Sequence, residues 1–142
     1  MDTPEVRRRL RAVIEQAKSG AAARRERGDT AAREYEAFLR DRAVPTFHTF
    51  AAALVAEGLR FKVFTPAGSV RLASEGGGED FIEIALDPAL EPPRPVGHTS
   101  RGRGRRLVVT ERAIRAGAAT ADLTEEDVLE FLVEEIAPFV ER

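Results

Sequence analysis

LRFKVFTPAGSVRLAS (Leu59–Ser74) is where the pattern of the chain changes. In its first half Leu59, Phe61 and Val63 alternate with Arg60 and Lys62, the period-two signature of a strand with one buried face. Thr65-Pro66-Ala67-Gly68 then predicts a turn, with proline at its second position and glycine free to take positive φ. Ser69–Ser74 (SVRLAS) returns as a second strand with Val70 and Leu72 on one face. The stretch therefore reads as a β-hairpin, and everything upstream of it reads differently.

Upstream, the apolar period is helical. Val6, Leu10, Val13 and Ala17 recur at steps of four, three and four, which predicts a helix over 3–27 with Thr3 as N-cap and Pro4 in the first turn. Gly28 is expected to end it and Asp29 to cap a second helix carrying Ala31, Tyr35, Phe38 and Leu39. Pro45 either kinks that helix or splits it. Phe47, Phe50, Leu54 and Val55 continue the stripe to Gly58, with His48 read as a histidine at the edge of the core. Residues 1–58 thus predict a helical hairpin.

Downstream, Glu75-Gly76-Gly77-Gly78 reads as a loop between strands, and Asp80–Asp87 (DFIEIALD) as a third strand with Ile82, Ile84 and Leu86 inward. Phe81 on the opposite side implies that this second face is partly covered. Pro88, Pro92, Pro93 and Pro95 make the next segment irregular. Val96–Ser100 and Arg106–Thr110 are candidate strands, and 111–117 (ERAIRAG) a short helical turn. The last helix announces itself most clearly. Thr124 as N-cap and Asp127 three residues on resemble a capping box, and Leu123 and Val128 form a hydrophobic staple. Val128, Leu129, Leu132, Val133, Ile136, Phe139 and Val140 give it a wide apolar face, and Pro138 should loosen its last turn.

These elements predict one α+β domain over 1–142: an N-terminal helical hairpin (1–58), a three- to five-stranded antiparallel β-meander (59–110) and a C-terminal helix region (111–142) packed on the sheet. At 142 residues, 43% apolar and 32% charged, the chain is large enough to bury a core without disulfide or metal. It has no cysteine, which excludes thiolate metal sites and cysteine nucleophiles. The opening MDTPEVRRRLRAVIEQ lacks the apolar centre of a secretory signal, and AVPTFHTFAAALVA (Ala43–Ala56) is too short and too interrupted to span a bilayer, so a cytoplasmic protein with no membrane partner is expected. Arginine in place of all lysines but Lys18 and Lys62, with abundant alanine, is the composition of a GC-rich bacterial genome.

No catalytic constellation, metal motif or cofactor signature emerges. Glu125-Glu126 and Glu134-Glu135 are adjacent, so their side chains diverge on a helix. The acids around Gly76–Gly78 oppose an anion there. The segment TSRGRGRRLVV (Thr99–Val109) differs: Arg101, Arg103, Arg105 and Arg106, with Arg94 and His98 before them, form a candidate surface for a partner or an anion.

Charge is segregated along the chain. Six acids and no base lie between Glu75 and Glu91, and eight acids and no base between Asp122 and Glu141, while the N-terminal helix and the Arg segment are basic. Complementary surfaces therefore exist within one molecule and between two copies. The leading expectation is a non-enzymatic interaction or adaptor protein, self-associating as a homodimer or binding a protein partner. The alternatives are a nucleic-acid-binding regulator acting through residues 101–106 and an enzyme or small-ligand protein for an anionic substrate around His98. The layout is similar to that of secretion-chaperone-type and other small adaptor domains, but layout does not fix function.

Overall fold

The computed structural model describes residues 2–76 and 79–141; Gly77 and Gly78 of the expected glycine loop lie outside them. Two helical segments joined end to end, five strands and a last helix follow one another: α1 (Thr3–Phe38), a π-helical turn (Leu39–Ala43), α2 (Val44–Ala56), β1 (Phe61–Phe64), β2 (Ser69–Ser74), β3 (Phe81–Asp87), β4 (Arg94–Arg103), β5 (Arg106–Ala113) and α3 (Glu125–Val140). The strands form a single antiparallel sheet in the order β1-β2-β3-β4-β5, each hydrogen-bonded to its sequence neighbours. The α+β architecture and the helix-covered sheet are as the sequence predicts.

The N-terminal hairpin is not. Helix α1 runs unbroken through Gly28 and Asp29, so the first two helices are one rod. The reason lies in the phase of the stripe. Steps of three and four carry it from Val6 through Ala21, Arg24 and Gly28 to Ala31, Tyr35 and Phe38 without an offset. A glycine inside a helix costs about 1 kcal/mol but does not reverse the chain. The N-cap is Asp2 rather than Thr3, with no side-chain capping bond.

Pro45 is absorbed without a split. It has no N–H for the carbonyl four residues back, and the wider π turn before it accommodates that loss. Thr46 and Thr49 hydroxyls donate to the carbonyls of Arg42 (2.7 Å) and Pro45 (3.1 Å). The Arg42 guanidinium donates to the carbonyls of Ala121 and Leu123, at 3.2 and 2.9 Å, and so ties this turn to the entry of α3.

One sheet face carries the core. Alternate residues Val70, Leu72, Ile82 and Ile84 are fully buried against Phe38, Phe47, Phe131 and Leu132 of the helices. Helix α2 lies over β1 and β2, and α3 packs beside it toward β3 and β4. The capping box at Thr124 is formed in both directions, Asp127 N–H to Thr124 Oγ1 at 3.1 Å and Thr124 N–H to Asp127 Oδ2 at 2.9 Å. Leu123 and Val128, the staple pair, are both buried.

Three local expectations shift. Strand β4 is ten residues long rather than five. The segment after Thr110 extends β5 to Ala113, and the short helical turn falls at Thr120–Asp122 instead of 111–117. The β1–β2 turn closes one residue later than predicted, with Ser69 N–H bonded to Pro66 O and Gly68 at φ +77°.

Candidate interaction surfaces

The arginine segment is the tip of the β4–β5 hairpin. Arg103 pairs across to Arg106, and Gly104-Arg105 is the two-residue connection. Gly104 alone takes positive φ (+64°), the pattern of a type II′ turn with glycine first. Asp80, buried at the start of β3, accepts the Gly102 N–H at 2.8 Å and fixes the base of the hairpin.

The six residues expected to act together are divided by the strand pleat. Arg101 and Arg103 alternate onto the face that the helices cover lower down, and Arg106 lies opposite Arg103. His98 and Arg94 occupy the other face, and Arg94 stands nine residues from the hairpin end of β4, about 30 Å along a strand. Half-buried His98 places Nδ1 3.8 Å from Glu111 Oε2 across the β4–β5 pair. Thr99 faces away from His98, and its hydroxyl contacts that of Thr110. Imidazole, hydroxyl and guanidinium groups therefore do not converge. His48, expected at the edge of the core, is exposed.

The acid-rich segments find other partners. Arg112 Nη1 meets Glu134 Oε2 at 2.5 Å and Glu135 Oε1 at 3.1 Å, pinning β5 to α3. Burial works against the charge on Arg112, and the bonds to Glu134 and Glu135 outweigh it, so its pKa is raised. Arg115 Nε lies 3.4 Å from Asp127 Oδ2, and Arg27 Nε 3.3 Å from Glu91 Oε1. Among the described residues, none of Arg101, Arg103, Arg105 and Arg106 forms an ion pair.

The uncovered sheet face is polar with apolar islands. Arg71 spans it, 2.7 Å from Glu83 and with its guanidinium 3.9 Å from the Phe81 ring centroid. A cation, not a further element, shields Phe81. Strand β5 forms one edge of the sheet and is exposed along nearly its whole length, with Leu107, Val108 and Val109 open to solvent.

An open cleft of about 750 Å³ lies where α1 meets the body, between Ala23, Arg27, Ala31 and Glu34 on one side and Pro92, Pro93, Arg94 and Gly117–Thr120 on the other. His98 does not line it. Among the described residues no group of three or more histidines or carboxylates could hold a metal ion, and no helix is long and apolar enough to cross a membrane.

A second exposed apolar surface is helical. Before Ala23, α1 projects from the body as an arm, and its Val6, Leu10, Val13 and Ile14 keep 42–62% of their surface exposed. On α3, Leu129, Val133 and Val140 keep 37–54% exposed, although the sequence places them on the same apolar face as the buried Val128 and Leu132. The buried member that the sequence reading passed over is Phe131. The sign was present: seven apolar positions make a band wider than a single contact with a sheet can cover.

Comparison with protein-family models, with curated proteins and with solved structures gives no match for this chain.

Proposed function

We propose that this chain is a small interaction protein that works by binding protein, in the first place a second copy of itself. The observation that carries the reading is the apolar stripe on the projecting arm, Val6, Leu10, Val13 and Ile14, which stays exposed among the described residues of the single chain. In proteins most of a helix's stability comes from packing its apolar face rather than from intrinsic propensity. A helix laid in an apolar groove is a recurring mode of protein recognition. The separation of imidazole, hydroxyl and guanidinium groups described above favours binding over catalysis at the Arg segment. Light scattering across the micromolar range tests the reading: twice the 15.6 kDa chain mass is expected, and the single-chain mass at every concentration overturns self-association.

A second reading has its own support. Arg103 and Arg106 are cross-strand partners, and among the described residues neither forms an ion pair with a carboxylate; directly opposed like charges disfavour each other unless an anion lies between them. An anionic polymer, nucleic acid foremost, would fill that role. Binding to single- or double-stranded nucleic acid should then weaken steeply with salt, and the slope should fall when Arg103 and Arg106 become alanine. No binding at low salt removes this reading.

A further inference from the structure

The arm and α3 carry the same apolar pattern with opposite charge. On the arm the stripe is Val6, Leu10, Val13 and Ala17; on α3 it is Leu129, Val133, Ile136 and Val140, of which Ile136 is half-buried against the chain's own core. Both run at steps of four, three and four, each about 17 Å long at 1.5 Å per residue. Measured from the first residue of each stripe, the arm places Arg7, Arg11 and Lys18 at offsets where α3 places Glu130, Glu134 and Glu141. Of these six, only Glu134 has an ion-pair partner among the described residues, namely Arg112.

We infer that two copies of this chain exchange arms, each arm lying antiparallel along α3 of the other copy. This rests on the self-association reading and specifies its surface. The four-three-four pattern is unchanged by reversal, so Val6 meets Val140, Leu10 meets Ile136, Val13 meets Val133, and the small Ala17 meets Leu129. In an antiparallel helix pair the same flank of each helix faces its counterpart. Arg7 then stands near Glu141, Lys18 near Glu130, and Arg11 within one residue's rise of Glu134. Flanking charges of this kind set partner and orientation in helix pairing. The arm cannot serve its own α3. Unbroken helix joins its stripe to the body, and no reversal lies between Ala17 and the buried Ala31. A two-fold axis relating two chains uses both arms and both α3 faces.

Charge reversal tests the inference in solution with the full chain. One variant carries Arg7→Glu and Lys18→Glu; a second carries Glu130→Lys and Glu141→Lys, leaving Arg11 unchanged and Glu134 to hold Arg112. All four positions are exposed, and circular dichroism verifies that both variants fold. Each variant alone should dimerise at least about tenfold more weakly than the parent, because like charges now meet at both contacts. Mixed in equal amounts, they should form a heterodimer of parental affinity, since both contacts regain opposite charge. A parent dimer that both variants retain unchanged overturns the arm exchange but leaves self-association standing, with the β5 edge as its surface. A parent that stays monomeric overturns both. A monomeric parent that sediments with phosphatidylglycerol vesicles, but not with phosphatidylcholine vesicles, assigns the arm to an anionic membrane surface instead.

Discussion

Phe131 stands directly on the backbone of Gly97: a methyl group on that glycine would lie 2.4 Å from both Cε2 and Cζ of the ring. Helix α3 thus seats on the main chain of β4, with no side chain between them. Arg112, on the neighbouring strand, holds its guanidinium 5.3 Å from the same ring while binding Glu134 and Glu135. The docking of α3 is therefore set from below by a missing side chain and from the edge by a charged one.

Gly97→Ala should destabilise the fold by about 1–3 kcal/mol, the cost of overpacking a filled core. Urea unfolding measures it. Combining it with Phe131→Leu should be less damaging than the sum of the two single changes, because both act on one contact.

Thr124→Ala removes half of the capping box and should cost about 1 kcal/mol. Thr124→Asp should retain most of the stability, since its carboxylate can accept the same Asp127 N–H. Thermal unfolding of the two variants side by side separates loss of the cap from loss of the residue.

Tyr35 is the only tyrosine in the chain, and its hydroxyl donates to the Gly68 carbonyl at 2.6 Å. Burial, and then the Glu83 carboxylate, hold the phenol neutral well above its ordinary range. A folded pKa above the unfolded one gives stability that is complete below about pH 10 and declines as pH rises past it. Phenolate absorbance should accordingly appear together with unfolding and not before. Tyr35→Phe should cost about 1 kcal/mol at neutral pH and flatten the alkaline decline.

Asp80→Ala leaves the Gly102 amide without its acceptor at the base of the arginine hairpin. A loss of about 1–3 kcal/mol is expected, with faster amide exchange at Gly102. Unchanged exchange there would show that the strand pairing alone holds the hairpin.

Hydrogen exchange distinguishes the arm from the body. Amides of residues 6–20 should exchange much faster than those of α2 in dilute protein, because the arm lacks buried contacts. Their protection should rise with protein concentration, while that of α2 stays constant.

The sheet was legible where the pleat has one wet face. Phe61, Val63, Val70, Leu72, Ile82 and Ile84 recur at every second position of their strands, and all point to the helix side as their spacing requires. The C-terminal helix was legible because its cap, staple and stripe agree. The helical hairpin was misread because Gly28 and Asp29 carry local stop signals, whereas the apolar phase across them is continuous. Strand β4 was underestimated because Pro95, Gly97 and three arginines weigh against a strand locally; pairing with β3 and β5, a tertiary effect, overrides them. The candidate site was legible as charge, not as geometry. Spacing could not reveal that the pleat sends His98 and Arg101 to opposite faces.

Helix α2 and helix α3 come from distant parts of the chain yet roof the same sheet. The strands need only adjacent hairpins to assemble, so the meander can zip as it emerges from the ribosome. Its greasy side, around Ile82 and Ile84, stays half-roofed until Phe131 and Leu132 have been translated. Newborn chains are thus most exposed to aggregation or chaperone capture during the synthesis of the last helix. A nonsense mutation shortly after Thr124 would leave a complete sheet roofed by α2 over β1 and β2 alone.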